Sequence, residues 1–363
     1  MRLCFLNTSS AWGGGEKWHF EMSEQLRNRN HQVYMIADEN SKLFDKARKT
    51  GIEVFPFRIG RLSFLSLSKR LQYKRLIKKI RPDVMIINDS SEIKLCAPLN
   101  ASMGVKTIYR RGSAIPIRNT RFNRLLFRKY INLVIANSEQ TRETILQNNP
   151  MLFQKKNIHL IYNGIDLGKY DKLKITSIKN RNGQKIIIGN AGRFVRQKAQ
   201  HYLVDLAGSL KERGLDFMIR IAGEGPLREE VQEKVARAGL DEHFEFLGFV
   251  EDMKSFMHSL DVFVLTSVWE GFGYVLLEAM ASARPIIAFD LSSNPELVRN
   301  AYNGFLVKKG DADAMAAHIL NLKDEGLAKS MGMHGRGMAE EKFDLKIAVN
   351  KLDKLLKENF KKM

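Results

Sequence analysis

A chain of 363 residues with 44% hydrophobic content is long enough for two domains with their own cores. Its only cysteines, Cys4 and Cys96, lie in apolar runs, which excludes a disulfide framework or a zinc site and suits a reducing compartment. The net charge of +19 is uneven: residues 1–165 hold 29 Lys and Arg against 12 Asp and Glu, the remainder 30 against 28. The first half therefore points to an anionic partner, either nucleic acid or a phosphorylated acceptor on an anionic membrane.

The N-terminus, MRLCFLNTSSAWGGG, reads as a strand and a loop rather than a secretory signal. No run approaches the roughly 20 apolar residues of a membrane span, so a soluble or peripheral protein is expected. A first strand over 2–7 leads to Gly13-Gly14-Gly15 and a helix from Glu16, where glycines let backbone approach a ligand. His19, one turn into that helix, reads as structural. Strand candidates follow at 33–37, 84–88, 107–109, 133–137 and 158–161, with helical segments between them. That rhythm predicts a parallel sheet covered on both faces, with function at the carboxyl ends of its strands.

Two basic stretches interrupt the alternation. Residues 67–81 set Leu67, Leu71, Leu76, Ile77 and Ile80 near one helical face, with lysines and arginines over much of the rest. Residues 118–130 interleave Arg118, Arg121, Arg124, Arg128 and Lys129 with Phe122, Leu125, Leu126 and Phe127. Such segments fit a membrane surface, with Phe122 or Phe127 entering it; a helix packing its apolar stripe on the sheet is the competing reading. Between them, Arg110 and Arg111 follow the strand at 107–109. Adjacent arginines there suit a phosphate-bearing ligand, or form a surface pair.

The polar, lysine-rich stretch from Asp171 to Gly183 reads as a linker, and a second sheet opens at 185–193. Arg193 and Lys198 follow that strand, before a helix around Tyr202–Leu210, and could both reach one anion. Gly223-Glu224-Gly225-Pro226 is a turn by composition, and Phe249 and Val250 follow a strand where backbone could meet a base edge. Residues 261–285 carry the strongest signal: an apolar strand from Val262, a loop with Glu270, Gly271, Phe272 and Gly273, and a helix from about Tyr274. A strand, a glycine-bearing loop and a helix start make an anion site. Glu270 before that helix and Glu278 inside it, eight positions apart, suit vicinal hydroxyls instead. Diphosphate amides flanked by diol acceptors describe a nucleotide-sugar site. Asp311-Ala312-Asp313 fits a metal–diphosphate expression, yet its place before an apolar helical run makes it a helix cap.

The E-x7-E spacing with G-F-G inside it resembles the signature of the retaining nucleotide-sugar glycosyltransferases of the GT-B fold, glycosyltransferase family 4. Further matches are the Gly13-Gly14-x-Glu16 loop, the N-G-I-D segment at 163–166, the R-x4-K pair Arg193 and Lys198, the 223–226 loop and Asn294-Pro295-Glu296. The likeness is strongest over 186–307 and patchy over 1–165. Arg110 and Arg111 stand near where many family members have a histidine.

The resemblance implies an α/β chain of two Rossmann-like domains facing a cleft, the GT-B fold. The expected bounds are an acceptor domain over 1–166, a linker over 167–184, a donor domain over 185–345, and a helix over 346–363 crossing back to the first domain. It further implies transfer of a sugar from a nucleoside diphosphate sugar to a glycan or lipid-linked acceptor with retention, in cell-surface polysaccharide or lipopolysaccharide synthesis. Glu270, Arg193 and Lys198 would be catalytic; Gly13, Gly14, Val250, Gly271, Phe272, Gly273 and Glu278 would bind donor; Arg110 and Arg111 would bind acceptor. No metal or cofactor is expected, since protein cations would face the diphosphate. A cytoplasmic place, or a peripheral one at the inner face of the cell membrane, follows. A nucleotide-sugar epimerase of the same fold and a nucleic-acid binder using the basic domain are the alternatives.

Overall fold

The computed structural model describes residues 1–171 and 185–360. The predicted linker from 167 therefore lies mostly outside the described residues, and its start, Leu167–Asp171, is a short helix. The chain forms two compact units, Met1–Asn163 with the chain from Lys346 on, and Gly164–Leu345. Each is built on one all-parallel sheet.

In the first unit the strands are β1 (Arg2–Asn7), β2 (Gln32–Ala37), β3 (Glu53–Pro56), β4 (Val84–Ile87), β5 (Lys106–Arg111), β6 (Leu133–Ala136) and β7 (Ile158–Leu160). Their order is β3-β2-β1-β4-β5-β6-β7. The second unit adds β8 (Ile186–Ala191), β9 (Phe217–Ala222), β10 (Phe244–Gly248), β11 (Val262–Leu265), β12 (Ile286–Phe289) and β13 (Gly304–Val307), in the order β10-β9-β8-β11-β12-β13. Central strands such as β4, β6, β11 and β12 are buried along their whole length, as a sheet covered by helices on both faces requires. In both sheets the strand order reverses between two neighbours, β1 and β4 in one, β8 and β11 in the other. Loops leaving the carboxyl ends of such a pair diverge and open a crevice for ligand.

Two strands were not predicted. β3 is a four-residue edge strand ending in Pro56, and β13 is a four-residue strand that opens on Gly304 and stops before Lys308, so both are short and bounded by residues that weaken a strand pattern. One helix start also shifts. The first helix is Gly14–Arg27, with Gly13 as its cap, rather than beginning at Glu16. Glu270 lies in the loop four residues before the helix Tyr274–Ala281 and Glu278 inside it, as the sequence predicts. Asp311 caps the helix Ala312–Asn321 through a hydrogen bond from the Ala314 amide at 2.9 Å. Asp313 accepts from Ser209 and Arg213, so both carboxylates of that motif serve helix packing.

Candidate active site

In the second unit, the loops leaving β8 and β11 are sewn together. Thr266 donates from Oγ1 to the Lys198 carbonyl at 2.9 Å, the Val268 amide donates to the Gln197 carbonyl at 2.9 Å, and Gln197 Nε2 donates to the Trp269 carbonyl at 2.8 Å. These bonds bring Lys198 Nζ to 2.5 Å from Glu270 Oε1, with the two side chains only 16% and 7% exposed. A pair this shielded from water is a strong local dipole, and each partner fixes the other's position. Ser292 clamps the Glu270 backbone from below: its Oγ accepts from the Glu270 amide at 3.2 Å and donates to the Glu270 carbonyl at 2.6 Å. Ser293 donates to the same carbonyl at 3.3 Å.

Gly271, Phe272 and Gly273 are buried beside this pair. Gly273 caps the helix Tyr274–Ala281 at φ +81°, a left-handed conformation that glycine adopts without strain. The helix thus starts with its positive end directed at the loop that carries Glu270. Phe272 turns inward and meets Phe343 edge-on at 5.6 Å, so its side chain belongs to the core. Glu278, one turn inside the helix, is buried. Arg193 is exposed just after β8, and Val250 is half-buried just after β10. The turn at 223–226 closes on its neighbour: Gly223 and Gly225 sit at φ +146° and +153°, and a Cβ on Gly225 would lie 2.6 Å from the Phe194 carbonyl. Of the predicted donor-side residues, Glu270, Lys198, Gly271, Phe272, Gly273 and Glu278 thus gather about one loop and one helix start.

Sequence reading assigned Lys198 to the diphosphate and did not find its pairing with Glu270. It also missed Gln197, Ser292 and Ser293. Ser292 sits at φ +55°, unusual for a residue with a side chain, and only the fold reveals that strain.

In the first unit a second polar group collects at the ends of β1, β4 and β5. Asn7 Nδ2 donates to Glu16 Oε1 at 3.1 Å, which holds the loop of Gly13 and Gly14 against β1. Arg110 and Arg111 are the last two residues of β5, not a pair beyond it, and are 3% and 9% exposed, which corrects the surface alternative. Arg110 donates to Asn88 Oδ1 at 3.0 Å and Asn163 Oδ1 at 2.9 Å, with its guanidinium 5.2 Å from the Trp18 ring centre. Arg111 donates to the Tyr109 hydroxyl at 3.2 Å and to the Ile115 carbonyl. Both arginines therefore brace the strand end and its loop. His19 packs edge-on against Phe5 and Trp18; burial, then the charge of Arg110, lowers its pKa to about 3, so it is neutral at ordinary pH and structural as predicted. Glu92, also missed, binds the Thr8 amide with Oε1 and the Asp89 amide with Oε2 at 2.9 Å, tying the β1 loop to the helix Ser90–Ser102.

Two parallel-sheet domains, each with a polar cluster at a strand-order reversal, define the GT-B class of fold. Residues 12–169 match the family model Glycosyltransferase Family 4, and residues 171–338 match Glycosyl transferases group 1. Each half of the chain thus matches a glycosyltransferase family model over most of its length. The chain is 32% identical to the EpsF protein of Bacillus subtilis over 257 residues, 62% of this chain and 66% of that one, so the match stops just short of two thirds of that relative. It is 24% identical to the Escherichia coli UDP-Gal:alpha-D-GlcNAc-diphosphoundecaprenol alpha-1,3-galactosyltransferase, over 94% of this chain and 93% of that one. Among solved structures, Anabaena HepE in complex with UDP and glucose superposes with a TM-score of 0.83 at 21% identity, covering 98% of each chain.

Proposed function

We propose that this protein transfers a sugar from a nucleoside diphosphate sugar to a hydroxyl of a glycan or lipid-linked acceptor, in the synthesis of a cell-surface polysaccharide or lipopolysaccharide. The observation that carries the reading is the shielded Lys198–Glu270 pair beside the start of the helix Tyr274–Ala281. A carboxylate locked by a cation faces sugar hydroxyls in one orientation, while the cation and the helix start meet the phosphates. Arg193 adds a second positive charge at the end of β8, and Glu278 is suited to the ribose hydroxyls. Gly13 and Gly14, at the start of the first helix, suit the distal phosphate, and Val250 the base.

In the reaction, the bond from the anomeric carbon to the diphosphate oxygen breaks and one to the acceptor oxygen forms on the same face. The acceptor proton passes to the departing diphosphate, which accounts for retention without an enzymic nucleophile. Glu270 positions the sugar and favours its positive character; Lys198, Arg193 and the amides near Phe272 and Gly273 stabilise the charge growing on the diphosphate. Because these groups supply the counter-charge, transfer should persist in chelator. Arg110 shapes the acceptor side through Asn88 and Asn163 rather than by reaching out alone. Support for a nucleotide sugar and a lipid-linked acceptor comes from the names of the relatives, one a UDP complex and one a diphosphoundecaprenol galactosyltransferase.

The test is hydrolysis of a panel of nucleotide sugars by the purified protein, with the anomer of any transfer product read by NMR. Release of nucleoside diphosphate from one donor, lost in Glu270→Ala, is the expected result. No release from any donor, or an inverted product, would overturn the reading.

A further inference from the structure

Every large apolar side chain exposed in the first unit lies between Leu62 and Met151, and none lies elsewhere among its described residues. Leu62, Leu65 and Leu67 are 66%, 69% and 71% exposed, at and beside a single helical turn, Ser63–Leu65, that leads into the helix Leu67–Ile80. Phe122 and Leu125, three residues apart on the helix Arg121–Tyr130, are 41% and 50% exposed. The two clusters are one surface, because the Phe64 and Phe122 rings meet at 5.8 Å.

These residues are surplus to the core. The helix Leu67–Ile80 buries Tyr73, Ile77 and Ile80, and the helix Arg121–Tyr130 buries Leu126 and Phe127. Phe127, 2% exposed and packed on Tyr109 and Phe153, is thus unavailable to a membrane, a correction to the sequence expectation. An apolar patch left in water when its helices are already anchored marks an interaction surface. Its charge names the partner. No Asp or Glu occurs between Glu53 and Asp83, or between Glu92 and Glu139, while Arg61, Arg70, Arg118 and Arg121 are all exposed there. A patch with basic residues around exposed leucines matches the headgroup layer of an anionic bilayer. Nucleic acid fits less well, since it is gripped by aromatic platforms and the exposed side chains here are mostly leucines.

We propose that this face, residues 61–71 with 115–125, docks on an anionic lipid bilayer, with Leu62, Leu65, Leu67, Phe122 and Leu125 entering the headgroup layer and the arginines meeting lipid phosphates. Arg111 links the two ends of the unit's function: its bond to the Ile115 carbonyl anchors the docking segment to the end of β5.

The experiment is co-sedimentation of the full chain with vesicles of phosphatidylcholine, with and without phosphatidylglycerol, at low and high salt. Binding should require phosphatidylglycerol and weaken with salt. The triple variant R61Q, R118Q and R121Q should lower the partition coefficient about a hundredfold, and Leu65→Ser with Phe122→Ser about tenfold. All five positions are exposed, and unchanged thermal melts would verify that the variants fold. Wild type left in the supernatant with phosphatidylglycerol at low salt would overturn the proposal. So would serine variants that partition as wild type, or release of bound protein by a DNA fragment in place of lipid. Partition is read without donor or acceptor, so its failure leaves the transferase reading standing, and failure of transfer leaves the docking surface standing.

Discussion

Glu270 is held at four points, its side chain by Lys198 and its backbone by the two serine hydroxyls. Removing the carboxylate should lower kcat by about 10²–10³ in Glu270→Ala, with nucleoside diphosphate affinity equal to or above wild type because Lys198 is released toward phosphate. Steady-state kinetics beside calorimetry check both halves of that expectation. Lys198→Ala acts the other way, weakening diphosphate binding by about 1.5–3 kcal/mol and leaving Glu270 without its cation. Glu92 carries a pH signature. Burial raises its pKa to about 8, above the ordinary 4.5, although two amide donors favour the carboxylate. A raised acid stabilises the fold when protonated, so its contribution is full below about 4.5 and is lost as pH rises through about 8. Glu92→Gln should flatten the fall in stability across that window, as read by urea unfolding at its two ends.

The helix Tyr274–Ala281 positions the candidate site and is itself pinned by the helix Glu325–Lys342. Gly332 of the latter approaches so closely that a Cβ there would lie 2.1 Å from the Ala283 carbonyl. Arg336, one turn on, donates to the Ala281 carbonyl at 2.9 Å and pairs with Glu340 and Asp171. Gly332→Ala should therefore cost about 1–3 kcal/mol by overpacking and raise KM for donor as the helix start shifts. Denaturant melts and donor kinetics measure the two effects. Elements of this kind were partly legible in the sequence. The β11 strand and the helix after it declare themselves by an apolar run and a glycine loop, but the contact of Gly332 with Ala283 joins positions far apart in the chain and leaves no local trace.

The first unit closes through the helix Leu345–Phe360, whose Asp353 accepts from His31 Nε2 at 2.9 Å and Lys357 Nζ at 2.8 Å and pairs with Arg29 at 3.4 Å. Asp353→Ala leaves three cations or donors without their shared acceptor, at a cost of about 1–3 kcal/mol. Hydrogen exchange over 345–360 in the intact chain should quicken first, while the core strands of the second unit stay protected. Unchanged exchange in that helix would show that apolar packing through Val349, Leu352 and Leu356 holds it without the ion cluster.

Composition and pattern alone determined that the chain is α/β, that its first half holds a parallel sheet and a second sheet opens near 185, and that the residues around Glu270 form a glycine-bearing loop before a helix that carries Glu278. These follow from local rules: apolar runs make buried strands, and glycine-bearing loops start helices that face anions. The uneven charge was equally legible, because it is counted along the chain, whereas the exposure of Leu62 and Leu65 was not. Tertiary structure decided who touches whom. It paired Lys198 with Glu270 across seventy-two positions, turned Arg110 and Arg111 inward to brace a strand end, and sent Phe127 to the core while leaving Phe122 in water. The physical reason is that periodicity fixes which face of an element is apolar, whereas the choice of polar partner depends on which strand ends the sheet order brings together.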